Sequence, residues 1–436
     1  MTRLARFHLE TMEPADRRRL LRRSAVPDRS IRDAVIDICD RVGSEGDAAV
    51  AEYATRFGGG FRRVTELELA AAVEAADPEL VAAIEDAAGR IRLLHHAQLP
   101  GELSVTTAPG VEITRRWQPM SRVGAYVPGG KAAYPSTVLM TVVPAKVAGV
   151  EEVVVASPTA PDGSVSEAML VACALAGADE VWLMGGAQAI AALAHGTETV
   201  RPVEKIVGPG NAWVTAAKLA VYGVCAIDLP AGPSEVLVLA DHTADPRLVA
   251  VDLLCQAEHG PDSPSVLVTT DPSLPEAVEA ALDELLPTLE RADILEQALS
   301  DHGWAVVAPD REAAVDFANS YAGEHVTILT EDPDGDAKRV TAAGSVYVGH
   351  WSPESAGDYA TGANHVLPTG GLAAACGPLS VADFGSWRQE QRITEAGLAG
   401  ILGTITTLAS AEGLTAHRLA AEMRFERSDR REGRAT

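Results

Sequence analysis

The chain has 436 residues, more than one typical domain, and its 47% apolar but only 4% aromatic content describes an α/β protein with a core of Val, Leu, Ile and Ala. A formal net charge of -25 repels phosphate backbones and anionic headgroups, which argues against nucleic-acid and membrane partners. Five scattered cysteines without CxxC spacing argue against a disulfide framework or a thiolate zinc site and fit a cytoplasmic protein. No apolar run reaches the roughly 20 residues needed to span a bilayer, and the N-terminus has no secretory h-region.

In chain order, the arginine run at 17–23 reads as a solvated helical face with two leucines turned inward. Apolar residues then recur at helical spacing from 30 to 98, with Ser30 as the expected N-cap. Two alternating stretches follow at 103–107 and 111–117. After Arg122 the rhythm changes to short apolar strands (123–127, 153–155, 181–184, 205–207) separated by helices (136–149, 167–177, 187–195 and one ending near 223). This is the pattern of parallel βαβ units with both sheet faces covered. The rhythm restarts with strands at 236–240, 265–269, 305–307, 326–329 and 346–348, and helices at 246–258, 274–299 and 312–321. Beyond 380 the pattern turns helical (393–412, 415–423), and 427–436 is a charged, frayed end. Ligands of open parallel sheets bind beyond the carboxyl ends of the strands, so chemistry is expected in the loops there.

Gln256 and His259 lie three apart near the end of a predicted helix and could share one cation. Alone they read rather as a surface polar face with a histidine at the helix C-terminus. Glu324-His325 precedes a strand; the two could divide acid/base work or simply open the strand. Residues 354–371 form a long, Gly-rich, non-periodic stretch offering Asp358 and His365, and such loops are usually functional. Glu412 and His417 flank Gly413; a helix break there, with Thr415 as cap, would let both project from one corner. No GxGxxG follows any strand, although Pro128-Gly129-Gly130 and Gly185-Gly186 are turns suited to exposing backbone N–H groups to phosphates.

The strings RVGAYVPGGKAAYPSTVLMTVVPAKVAGV, GGAQAIAALAHGTETV, KIVGPGNAWVTAAK, AGPSEVLVLAD, QAEHGPDS, AGEHVTIL, ESAGDYATGANHVLPTGG and LTAHR occur in one order between about 28 and 423. Together they resemble the histidinol dehydrogenase family. The resemblance implies one Zn²⁺ per subunit held by Gln256, His259, Asp358 and His417, an N/O ligand set that orients the substrate. It implies Glu324 and His325 as the catalytic acid/base pair, and Ser234, His365 and Glu412 as substrate contacts. It further implies NAD against Tyr126, Gln188 and Asn211, L-histidinol as substrate, and a homodimer in which Glu412 and His417 complete the partner's site.

The fold expected is two Rossmann-like, doubly wound parallel-sheet domains without GxGxxG, with small helical N- and C-terminal extensions. The expected boundaries are a helical extension at 1–27, a discontinuous first α/β domain at 28–122 and 241–378 carrying the metal and acid/base residues, an NAD-binding second α/β domain at 123–240, and a helical dimerisation segment at 379–436. Two other readings compete. One is a zinc/NAD dehydrogenase on the same scaffold for another small alcohol, such as a sulfonated diol. The other is a non-catalytic metal- or nucleotide-binding protein.

Overall fold

Strands whose every residue is buried must be covered on both faces, and Arg122–Tyr126, Val236–Ala240, Ser265–Thr269 and His325–Leu329 are all of this kind. The structure, a computed structural model, describes residues 4–129, 134–160 and 162–432, with side chains through 425. It divides into a large unit (4–99 and 120–384) and a small one (100–119 and 385–432).

The large unit holds two six-stranded sheets. In the first, the strands lie in the order Ala5–His8, Gly303–Val307, Ser265–Thr269, Val236–Ala240, His325–Leu329 and Ser345–Val348, all parallel. In the second the order is Phe61–Arg63, Glu180–Met184, Glu152–Ser157, Arg122–Tyr126, Lys205–Val207 and Ala226–Ile227, and only Phe61–Arg63 runs antiparallel. Setting aside the edge strand each sheet takes from the N-terminal part of the chain, both follow the order 3-2-1-4-5 when strands are counted along the chain. That is the doubly wound arrangement expected from the alternation of strands and helices. Among the described residues no helix is long and apolar enough to cross a membrane.

The segments differ from expectation in four places, the last of them in the small unit described below. Val236–Ala240 pairs with Ser265–Thr269 and His325–Leu329, so it opens the first sheet and does not close the second domain. The helices between 29 and 97 cover the second sheet and not the first. Arg29–Glu45 packs on Gly186–His195 and Ala212–Val221, and Pro78–Ala97 packs on Pro135–Ala148 and Glu167–Ala176. The cause is apolar complementarity: Val35, Ile38, Cys39 and Val42 share one buried cluster with Trp182, Ile190 and Val214. Finally, the N-terminal extension is not only helical, since Ala5–His8 precedes helix Pro14–Leu21 and joins the first sheet as an edge strand.

Smaller departures have local causes. Asp28, not Ser30, is the N-cap of Arg29–Glu45. The expected helix at 274–299 breaks after Leu285, where Leu286–Thr288 tightens to a single turn around Pro287 before Ala292–His302 resumes.

The small unit is a three-stranded antiparallel sheet, Gly385–Ile393, Val111–Pro119 and Leu103–Ala108, with helices Glu395–Ala411 and Thr415–Glu432. Trp117 and Trp387 are paired across its strands and meet edge to face with ring centroids 5.7 Å apart. The C-terminal segment is therefore not purely helical. The helix break foreseen at Gly413 is present, the glycine adopting φ 73°.

Candidate active site

The register of the first sheet decides where its polar residues gather. Val236 lies opposite both Ser265 and His325, so three strands begin at one level. Ser234 and Glu235 precede the first of them, Gly260 to Ser263 lead towards the second, and Glu324 precedes the third. Of these, Ser234, Gly260 to Ser263 and Glu324 line a cavity of about 510 Å³ with His259, His325, Asp358 and His365. The cavity thus sits at the amino ends of these strands, which corrects the expectation that chemistry follows their carboxyl ends. The carboxyl-end rule rests on helix N-termini aimed at a ligand, whereas here the side chains themselves supply the polar groups.

Gln256 is in the last turn of helix Pro246–Ala257, fully buried, and His259 follows the helix beyond Glu258. Burial of Gln256 removes the reading of a surface polar face. Its Oε1 lies 3.2 Å from His325 Nδ1, while its Nε2 has no partner. Asp358 lies not in a loop but on a short helix, Glu354–Tyr359. A Cβ on Gly357 would stand 2.5 Å from the Tyr347 hydroxyl, so the glycine lets this helix press against strand Ser345–Val348. The helix also places Glu354, four residues before Asp358, on the same face. Glu354 was not singled out from the sequence, because a helix of six residues leaves no periodic signal in a Gly-rich stretch. Ligand atoms of His259, Glu354 and Asp358 all lie within 4.8 Å of one another. Both Glu354 carboxylate oxygens are buried without a hydrogen-bond partner, the nearer 3.6 Å from His325 Nδ1. A buried carboxylate pair beside an imidazole is a donor set that can hold a divalent cation.

Glu324 Oε2 accepts from the Glu235 backbone N–H at 2.9 Å and lies 3.9 Å from His325 Nδ1. Burial pushes the Glu324 carboxyl well above the carboxylate range, the charges of Glu235 and Asp358 adding to it against the Glu235 amide. Burial, with His259 and His365 nearby, pushes His325 down to about 3. Burial likewise lifts Asp358 to about 6 and holds Glu354 well up. His365 sits with Nδ1 3.2 Å from the Asp358 carbonyl and Nε2 3.5 Å from Thr137 Oγ1, its imidazole brought down to about 4 by burial. His325 is therefore neutral across the neutral range, with Nε2 buried and unpartnered.

A second cavity of about 670 Å³ opens at the carboxyl ends of the second sheet, where the strand-end rule does hold. Tyr126, Gln188 and Asn211 line it together with Pro128, Gly185 and Trp213. The Tyr126 hydroxyl accepts from the Gly186 N–H at 3.2 Å. Helix Gly186–His195 starts there without a side-chain cap, which leaves first-turn N–H groups for an anion. Asn211 Oδ1 instead caps its own helix, accepting from Trp213 N and Val214 N. Gly130, part of the expected Gly-rich turn, lies outside the described residues. Pro128 and Asn211 border both cavities, so the two are adjacent.

Glu412 is the C-cap of Glu395–Ala411 and His417 is in the first turn of Thr415–Glu432; both are exposed on the small unit. Of the other expected residues, Ser234, His259, Glu324, His325, Asp358 and His365 line the first cavity, and Gln256 joins them through His325.

The family model described as histidinol dehydrogenase matches residues 21–425. Histidinol dehydrogenase of Halobacterium salinarum is 48% identical over 419 residues, covering 95% of this chain and 98% of the relative. That of Methanothermobacter thermautotrophicus is 47% identical over 387 residues, covering 88% and 91%. The crystal structure of histidinol dehydrogenase from Elizabethkingia anophelis superposes with a TM-score of 0.92 at 36% identity, covering 98% of this chain and 99% of that one.

Proposed function

The chain belongs to the histidinol dehydrogenase family and is an oxidoreductase, and from this premise we propose that it oxidises L-histidinol through L-histidinaldehyde to L-histidine, the last step of histidine biosynthesis, with two NAD. The observation that carries this reading is the adjacency of the two cavities: an acid/base pair and a cation-type donor set in one, a helix N-terminus without a side-chain N-cap in the other.

The balance is one alcohol, one water and two NAD giving one carboxylate, two NADH and three protons. His325 faces Gln256 Oε1 through Nδ1 and keeps Nε2 free. As a neutral imidazole it takes the alcohol proton on Nε2 while the carbinol hydride leaves. Glu324, held through Oε2 by the Glu235 amide, then accepts a proton from the water that adds to the aldehyde carbon. His325, having returned its proton to the aldehyde oxygen as water adds, takes a hydroxyl proton from the hydrate while the second hydride leaves, and the carboxylic acid remains. NAD, bound against Tyr126, Gln188 and Asn211, supplies the hydride acceptor. Ser234 and His365 border the substrate cavity and orient the substrate.

A zinc ion suits the first cavity, because ligand atoms of His259, Glu354 and Asp358 converge there and the buried Gln256 offers its Oε1, 3.2 Å from His325 Nδ1. Gln256, His259 and Asp358 would hold it, with the partner subunit's His417 as fourth ligand; bound there, it supplies a Lewis-acid anchor for the substrate's amine and imidazole. The partner subunit's Glu412 would contact the same substrate. This makes the enzyme a homodimer with shared sites. The five cysteines are free, three of them buried, which supports a reducing, cytoplasmic setting.

The test is turnover of histidinol with NAD, expecting two NADH per histidine. Metal analysis alongside should find one zinc per subunit and loss of turnover on chelation. Oxidation of an unrelated alcohol only, or zinc and NAD binding without turnover, would overturn the reading.

A further inference from the structure

Helix Pro14–Leu21 turns Arg17, Arg18 and Arg19 to solvent and buries Leu20, but Arg23, two residues past its end, points inward with its side chain only 10% exposed. Its guanidinium makes a salt bridge to the Glu235 carboxylate, donates to the Tyr321 carbonyl and stacks on the Tyr321 ring with 3.3 Å to the centroid. Glu235 is buried and joins three parts of the site. Its other oxygen accepts from Gly370 N at 3.1 Å, its N–H donates to Glu324 Oε2 at 2.9 Å, and its carbonyl accepts from His325 N at 3.2 Å. The residues after Arg23 are equally close. Ser24, Ala25, Val26 and Pro27 line the substrate cavity. A Cβ on Gly370 would stand 3.0 Å from Ala25 N, and one on Gly232 would stand 3.2 Å from Ala25 Cα.

We propose that Arg23 is a positioning residue for the Glu324–His325 pair, acting through Glu235 and the Tyr321 carbonyl, and that residues 24–27 form a wall of the substrate cavity. This rests on the roles assigned to Glu324 and His325 above.

Two physical arguments carry it. Ala322, between Tyr321 and Glu324, is the one non-glycine with positive φ among the described residues, at 49°. Such a backbone persists only where its surroundings hold it, and Arg23 holds the carbonyl immediately before it. Second, Glu235 and Glu324 are adjacent buried carboxyls, and Arg23 is the cation that compensates Glu235. Without it, a buried charge stands unpaired against the group that must take a proton from water.

The strand of contacts reaches the Glu324 carboxylate directly but His325 only through its backbone. Histidinaldehyde separates the two: its oxidation with NAD needs Glu324, and its reduction with NADH needs only His325. Arg23→Met should lower kcat for aldehyde oxidation between about tenfold and a hundredfold, while reduction changes much less and the KM for NAD is kept. Arg23→Lys, which keeps the charge without the fork, should fall between the two and serves if the Met variant does not fold. Equal loss in both directions, tracking the folded fraction measured by circular dichroism, or wild-type kinetics in either variant, overturns the inference. A wild-type enzyme that makes no NADH from histidinol overturns the functional reading instead.

Discussion

Glu324 and His325 are neighbours in sequence, yet burial moves their titrations in opposite directions, Glu324 upward and His325 down to about 3. Both shifts favour the neutral form, which gives a ready imidazole base and a carboxyl that must shed its proton before it can accept one from water. The proposed division of labour follows. Replacing His325 with Asn should cost between about a hundredfold and ten-thousandfold in both alcohol oxidation and aldehyde reduction, the usual worth of a positioned proton acceptor. Glu324→Gln, nearly isosteric, should keep aldehyde reduction by NADH and lose aldehyde oxidation by NAD. Stopped-flow absorbance of NADH in both directions checks this, and equal losses for the two variants would refute separate roles. At this scale residue type and adjacency were legible: Glu324-His325, Gln256 and His259 stand out as chemistry-bearing pairs. Glu354 and Arg23 were not, because each depends on burial. A glutamate in a Gly-rich stretch and an arginine in a basic run are ordinary until the fold takes them out of water.

At the scale of elements, packing at the two cavities is made by close approach of loops. Gly185 precedes helix Gly186–His195 at the floor of the second cavity, and a Cβ there would stand 2.4 Å from Pro158 Cβ. Its φ of -128° is open to any residue, so Gly185→Ala is a purely steric probe. Overpacking should cost about 1–3 kcal/mol and raise the KM for NAD, leaving zinc content unchanged by metal analysis. An unchanged KM would argue that NAD does not use this turn. Strand Glu180–Met184, which leads into Gly185, carries a charge network at its start: Glu180 pairs with Arg122 at 3.0 Å and accepts from Trp182 Nε1 at 3.0 Å. Burial alone would raise its pKa, but these donors and the Arg122 charge bring it down to about 2 from 4.5. A lowered folded pKa stabilises above the unfolded value and is lost as pH falls towards the folded one. Glu180→Gln should therefore cost about 1–3 kcal/mol near neutral pH. The gap to wild type in urea unfolding should narrow from about pH 4.5 downward, and a gap constant with pH would mean the pair contributes nothing through charge. The buried strands were legible from unbroken apolar runs. Ala5–His8, Phe61–Arg63 and Gly385–Ile393 were not, since edge and half-exposed strands carry polar residues such as Arg62, Arg388 and Glu390 and take their conformation from a partner strand distant in sequence.

At the scale of the whole molecule, two sheets of like order divide the work by opposite ends. The second presents carboxyl ends and a helix N-terminus without a side-chain N-cap, and the first presents amino ends and side chains. The alternation of strands and helices predicted both sheets, but not which sheet the helices between 29 and 97 would cover, because an amphipathic face names no partner. The same limit applies to the small unit, where Leu408, Leu414, Leu419 and Met423 are exposed within a few residues of Glu412 and His417 along the chain. In the proposed homodimer that surface is covered and the partner subunit's His417 completes the zinc site, so the two halves of one active site come from different chains. Complementation tests this. His417→Ala should inactivate by removing a ligand and His325→Ala by removing the base, each leaving homodimers with two broken sites. A heterodimer of the two has one site in which both residues are intact. Subunits refolded together, or coexpressed with different affinity tags and purified through both, should regain roughly a quarter to a half of wild-type kcat per dimer, following the active fraction. The recovered activity should carry the wild-type KM for histidinol and one zinc in the restored site. Doubly tagged heterodimers without recovery would show that each chain builds its own site, and His417 would then lose its place among the zinc ligands.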